Sequence, residues 1–156
     1  MINKDGNIQL QLISTSEFEA LFACVKQGLF THVDSVFGWD DDFQRKRLLN
    51  DCHPSWFHWI YKGKDKVGLV CFKPYDNAYH VHLLIIFPQY QGHSLGKEVM
   101  YLIHKRATEE RREQVTLSSF RRNTRAISFY QSLGYQIVDD RDEDFVGMAL
   151  NQTNPL

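Results

Sequence analysis

His80 and His82 stand two residues apart in a β-forming, apolar run over residues 80–87, and on a regular strand their side chains share one face about 7 Å apart. Imidazole is the side chain whose ordinary pKa lies nearest neutrality, so such a pair at the rim of a cleft can carry a proton from an amine toward solvent. Local hydrogen bonding at a strand end is the plainer reading. Histidines at i, i+2 can also chelate a metal, but spacing identifies no third ligand, so metal ranks last. The run leads into a second feature: Pro88 stops the strand, and residues 92–96 open an amphipathic helix. A strand running into a glycine turn and a helix start is an anion-binding arrangement, because unpaired backbone N–H groups and the positive end of the helix dipole point the same way.

The elements that must position these groups follow from periodicity and turn chemistry. Residues 7–13 read as a strand, and Ser14 with Glu17 has capping-box spacing before a helical stripe of Phe18, Leu21, Phe22, Val25 and Leu29, which predicts a helix to about residue 30. Gly38 breaks that pattern, and Asp40 can cap a second helix ending near Cys52. Strand-like runs at 56–61 and 66–72 flank the turn residues 62–65 and predict a hairpin, and a second turn at 74–77 leads into the histidine strand. Beyond the glycine turn, Leu95, Val99, Leu102 and Ile103 form a helical stripe, with Lys105, Arg106, Arg111 and Arg112 at the end where cations suit the dipole. A short strand at 115–120, a helix at 123–133 stopped by Gly134, and strands at 135–138 and 145–150 complete the chain. The order of elements predicts a mixed α/β fold with consecutive strands pairing as an antiparallel meander.

Composition narrows the function classes. With 156 residues and 43% hydrophobic content, the chain supports one domain over residues 1–156. A net charge of −1 argues against bulk attraction to nucleic acid or to an anionic membrane. Cys24, Cys52 and Cys71 are odd in number and widely spaced, which fits buried thiols in a reducing compartment. No stretch approaches the ~18 apolar residues of a membrane span, and residues 1–6 lack a signal core, so the expectation is a cytoplasmic protein.

Two segments carry a family resemblance. Gln91-Gly92-His93-Ser94-Leu95-Gly96 resembles the Q/R-x-x-G-x-G/A acyl-CoA signature of GNAT N-acetyltransferases, and residues 123–135, with Asn123, Ala126, Phe129, Tyr130, Gly134 and Tyr135 in place, resemble that superfamily's second signature, N-x-x-A-x-x-F-Y-x-x-x-G-F/Y. Both in this order, ~30 residues apart, make a specific signal. The resemblance implies a GNAT-like fold: a mostly antiparallel mixed sheet of six to seven strands, splayed in the middle and flanked by about four helices, with the CoA-binding core at residues 56–150.

It also implies roles. Acetyl-CoA, or coenzyme A, would be the co-substrate and no metal would be needed. Pyrophosphate would rest on the backbone of Gln91, Gly92, His93, Ser94, Leu95 and Gly96, with Lys97 adjoining, and pantetheine would bond like an added strand to Leu84, Ile85 and Ile86. Asn123, Ala126, Phe129 and Tyr130 would lie near the pantetheine and thiol. Tyr130 would protonate the departing thiolate, since a phenol's pKa of ~10 exceeds a thiol's ~8.5. The H-x-H strand is similar to that of arylalkylamine N-acetyltransferases and implies His82 as base, with His80 or a water as relay, but it assigns no substrate subfamily. The partner implied is a small-molecule or peptide amine, with Trp39 and Asp40 as candidate acceptor contacts; a homodimer is left open. A non-catalytic acyl-CoA sensor is the alternative of the same fold. One departure stands out: Ser94 occupies the place of the signature's middle glycine, so it either keeps an ordinary backbone conformation or crowds the phosphates.

Overall fold

A computed structural model that describes residues 7–152 has seven strands and four α-helices among them. The segment 1–6, read as lacking a signal core, lies outside the described residues. The strands are β1 (Ile8–Leu12), β2 (Phe57–Lys62), β3 (Asp65–Tyr75), β4 (Ala78–Ile86), β5 (Gln114–Phe120), β6 (Gln136–Asp139) and β7 (Phe145–Asn151), and the helices are α1 (Phe18–Phe37), α2 (Asp41–Asp51), α3 (Leu95–Glu109) and α4 (Thr124–Ser132). The sheet order is β1-β2-β3-β4-β5-β7-β6. Residues group into two compact units, one of residues up to Cys71 with Leu83–His93, the other of Phe72–His82 with residues from Ser94 onward. Among the described residues no helix is long and apolar enough to cross a membrane.

In the first unit, β1, β2 and the start of β3 form an antiparallel ladder. Local chemistry sets the helix starts: Glu17 accepts from Ser14 N–H at 2.9 Å while Ser14 accepts in return, and Asp40 Oδ1 accepts from Phe43 N–H at 3.0 Å. α1 extends past the expected residue 30 to Phe37, because buried Val33 continues the Val25–Leu29 row by one more turn; Gly38, at φ +79°, then ends it. Ile13, Leu21, Val25, Phe57, Trp59, Leu69 and Cys71 make the core, with Leu83, Ile85 and Phe87 packed against it. That places the odd-numbered residues of this part of β4 inward and leaves Leu84 and Ile86 on the other face.

In the second unit, β4 and β5 pair in parallel from Ala78/Gln114 to Val81/Leu117, and α3 provides the crossover that parallel pairing needs. α3 buries Leu95, Val99, Met100, Ile103 and Ala107, a single stripe in which each large side chain contributes about 1.5–3 kcal/mol of burial. The expected turn at 74–77 is shorter than read, since β3 runs through Pro74 and Tyr75 and the reversal is made at Asp76, at φ +51°. The basic end of α3 has partners: Arg106 and Arg112 pair with Glu110, which also accepts from the Tyr79 hydroxyl. β5 and β7 pair antiparallel along their whole length, and β6 joins the outer side of β7.

Candidate active site

In the first unit, the strand expected to receive pantetheine is held by two glycines. A Cβ on Gly68 of β3 would sit 2.1 Å from the Ile85 carbonyl oxygen, and one on Gly28 of α1 would sit 2.6 Å from Ile85 Cδ1. Only glycine permits the first approach, because the clash is with backbone. The Phe87 N–H donates to Val67 O at 2.9 Å, and the Gln91 side-chain amide donates to Ile86 O at 2.9 Å, so Gln91 closes the strand end with its side chain. Motif reading misses Gly28 and Gly68; the signal is a glycine inside a helical stripe for the first and inside a strand pattern for the second.

Gly92 follows at φ +84° with open space where a Cβ would stand, so the turn needs it for conformation. Trp39 and the acidic helix start are already engaged. The Trp39 indole N–H donates to Asp41 at 2.6 Å, Lys26 pairs with Asp41 at 2.9 Å and lies 6.0 Å from the Trp39 ring, and Asp40 serves as the α2 cap. The chain thus supplies its own cation to this aromatic and carboxylate pair.

In the second unit, Ser94 is the N-cap of α3 and lies in the left-handed region at φ +61°, ψ 22°. Of the two alternatives, the ordinary conformation is therefore excluded: Ser94 adopts a left-handed backbone that favours glycine, at a cost of about 1 kcal/mol for an L residue. Its side chain makes no cap hydrogen bond, and its carbonyl accepts from Glu98 N–H at 3.1 Å. His93, Ser94 and Lys97 are exposed, Gly96 is half-buried, and Leu95 turns into the core. The start of a 15-residue helix without a side-chain cap fits a phosphate group.

The two histidines are neighbours, as alternation required: their ring centroids are 4.9 Å apart, edge to face. His82 is exposed, whereas His80 is half-buried and its Nδ1 lies 2.8 Å from Thr116 Oγ1 on β5. Burial first, and then the Lys73 ammonium, hold His80 below the ordinary imidazole value.

On α4, Asn123 Oδ1 caps the helix by accepting from Ala126 N–H at 3.2 Å. Ala126 and Phe129 are half-buried, and Tyr130 is buried, its ring 5.0 Å from Phe129 and 5.6 Å from Tyr135. Burial pushes the Tyr130 phenol up to about 12. Just before α4, the Arg121 guanidinium donates to the Asp140 and Asp142 backbone carbonyls. Among the described residues, no three His, Cys, Asp or Glu side chains group as a metal site.

Comparison with known proteins adds three findings. The model of the Acetyltransferase (GNAT) family matches residues 20–135, a span that includes most of α1, all of α2 and the second signature. A comparison with curated proteins finds no match. Among solved structures, PaiA N-acetyltransferase from Thermoplasma acidophilum in complex with coenzyme A is similar, with TM-score 0.72, 17% identity, and coverage of 93% of this chain and 99% of that one. So is the ribosomal-protein-S18-alanine N-acetyltransferase from Escherichia coli, with TM-score 0.67, 15% identity, and coverage of 94% and 95%. A GNAT-family acetyltransferase from Staphylococcus aureus gives TM-score 0.72, 15% identity, and coverage of 94% and 99%. At these identities the likeness is one of fold.

Proposed function

The chain belongs to the GNAT acetyltransferase family, and on that premise we propose that it transfers an acetyl group from acetyl-CoA to a primary amine of a small molecule or peptide by direct attack in a ternary complex. Acetyl-CoA supplies the thioester and its thiol leaving group. The backbone of residues 91–96 takes the pyrophosphate, with Lys97 beside it, and the edge at Leu84, Ile85 and Ile86 takes the pantetheine. Asn123, Ala126 and Phe129 line the thiol end of the arm. A backbone N–H near Ile86 polarises the carbonyl. His82 accepts the amine's proton, with His80 or a water as relay, so that a neutral nitrogen attacks; the N–C bond forms as the C–S bond breaks, and the Tyr130 O–H protonates the sulfur.

The observation that carries this reading is the condition of Tyr130. It sits at the tyrosine of the second signature and is buried, with a phenol that burial keeps protonated far above neutral pH. Trp39 and Asp40 remain the candidates for the acceptor side.

Acetyl-CoA turnover against a panel of amines tests the reading. Tight CoA binding with no turnover on any amine would favour the non-catalytic sensor, whose one specific support is the strained Ser94 in place of glycine.

A further inference from the structure

We infer that Thr116 is a positioning residue for His80: its hydroxyl oxygen accepts the Nδ1–H of the imidazole and so keeps Nε2 as the ring's proton-accepting atom. Thr116 and His80 are direct partners in the parallel β4–β5 register, and Nδ1 and Oγ1 are 2.8 Å apart. The pairing is fixed by backbone, because in-register residues of neighbouring strands share a face of the sheet. On its other side Thr116 is paired with Ala149 of β7.

The direction of the hydrogen bond follows from the two protonation states of the ring. Imidazolium carries N–H on both nitrogens, so whenever His80 is protonated Thr116 must accept from Nδ1. Of the two neutral tautomers, only the Nδ1–H form keeps that same hydrogen bond. A proton can then arrive at and leave Nε2 with no hydroxyl rotation and no ring movement. The opposite tautomer would place its hydrogen on Nε2 and remove the ring's ability to accept there. The His82 imidazole on the same strand and the Lys73 ammonium from β3 also bear on the ring. The ammonium has no acceptor atom, and at Nδ1 itself the group within hydrogen-bond distance is the Thr116 hydroxyl, 2.8 Å away, which makes it the orienting group. This role rests on the acetyltransferase reading for its purpose, but not for its detection.

Long-range ¹H–¹⁵N spectra of the ¹⁵N-labelled full chain, with His80 signals assigned by the spectrum of His80→Gln, report the tautomer directly. We expect the Nδ1–H form in the unaltered protein near neutral pH, a shift toward Nε2–H in Thr116→Val, and recovery in Thr116→Ser. In turnover, Thr116→Val should lower kcat by about 10–100-fold with KM for acetyl-CoA unchanged and should displace the acidic limb of the pH profile, and Thr116→Ser should restore both. An Nε2–H tautomer in the unaltered protein overturns the inference, even if Thr116→Val fails to fold. So does a Thr116→Val variant with unchanged tautomer and pH profile. Absence of turnover in the unaltered protein would instead remove the acetyltransferase reading, while the spectra would still decide the role of Thr116.

Discussion

At the scale of residues, a single physical effect suits two side chains to the opposite roles proposed for them. Desolvation favours the neutral form of any ionisable group. In Tyr130 the neutral form is the phenol that can give a proton, and in His80 it is the imidazole that can take one. Tyr130→Phe should therefore lower kcat by about 100-fold or more while the dissociation constant for CoA stays within a few fold, as read by steady-state kinetics beside calorimetry. Full activity in that variant would remove Tyr130 from the chemistry. The second signature pointed to Tyr130, but its depth was not legible: Ala126, Phe129, Tyr130 and Leu133 all lie on one helical face, and only packing decides that Tyr130 is buried while Phe129 is half-buried. Thr116 was less legible still. Its role depends on the register of two strands whose paired residues are 36 positions apart, and periodicity within one strand carries no information about that.

At the scale of elements, the strand edge proposed for pantetheine depends on a backbone approach that a methyl group would block. Gly68→Ala would drive a Cβ into the Ile85 carbonyl, so β3 and β4 must separate locally. We expect a loss of about 1–3 kcal/mol in urea unfolding and a fall in CoA affinity beyond that of Gly28→Ala, whose clash is with the movable end of the Ile85 side chain. Equal CoA affinities for the two variants would show that Gly68 does not set the edge. Start and stop signals were the legible part of these elements, because caps act over three or four residues: the Ser14–Glu17 box, the Asp40 cap and Gly134 at φ +101° all stand where composition placed them. The end of α1 was misjudged because His32 and Thr31 interrupt the apolar pattern before Val33 resumes it, and helix continuation is decided by packing.

At the scale of the whole molecule, the seven-stranded mostly antiparallel sheet with four helices agrees with the fold that the two signatures implied, and pH should act on its stability through a group outside the proposed chemistry. His104 Nε2 lies 2.7 Å from the Tyr135 hydroxyl, and burial holds the imidazole at about 4, against 6.5 in an unfolded chain. Between these values the unfolded state binds more protons, so stability is full above pH 6.5 and declines as pH falls toward 4. Allowing for the solvent the ring retains, His104 accounts for about 1–2 kcal/mol of that decline. Urea unfolding at pH 7.5 and 4.5 should show a smaller difference for His104→Gln than for the unaltered protein; equal differences would assign the acid sensitivity elsewhere. The central claim is catalysis. It is tested most directly by initial rates of CoA release over a matrix of acetyl-CoA and amine concentrations. The account predicts amine-dependent turnover with intersecting reciprocal plots, as a ternary complex requires, and tight CoA binding without amine-dependent turnover would contradict it.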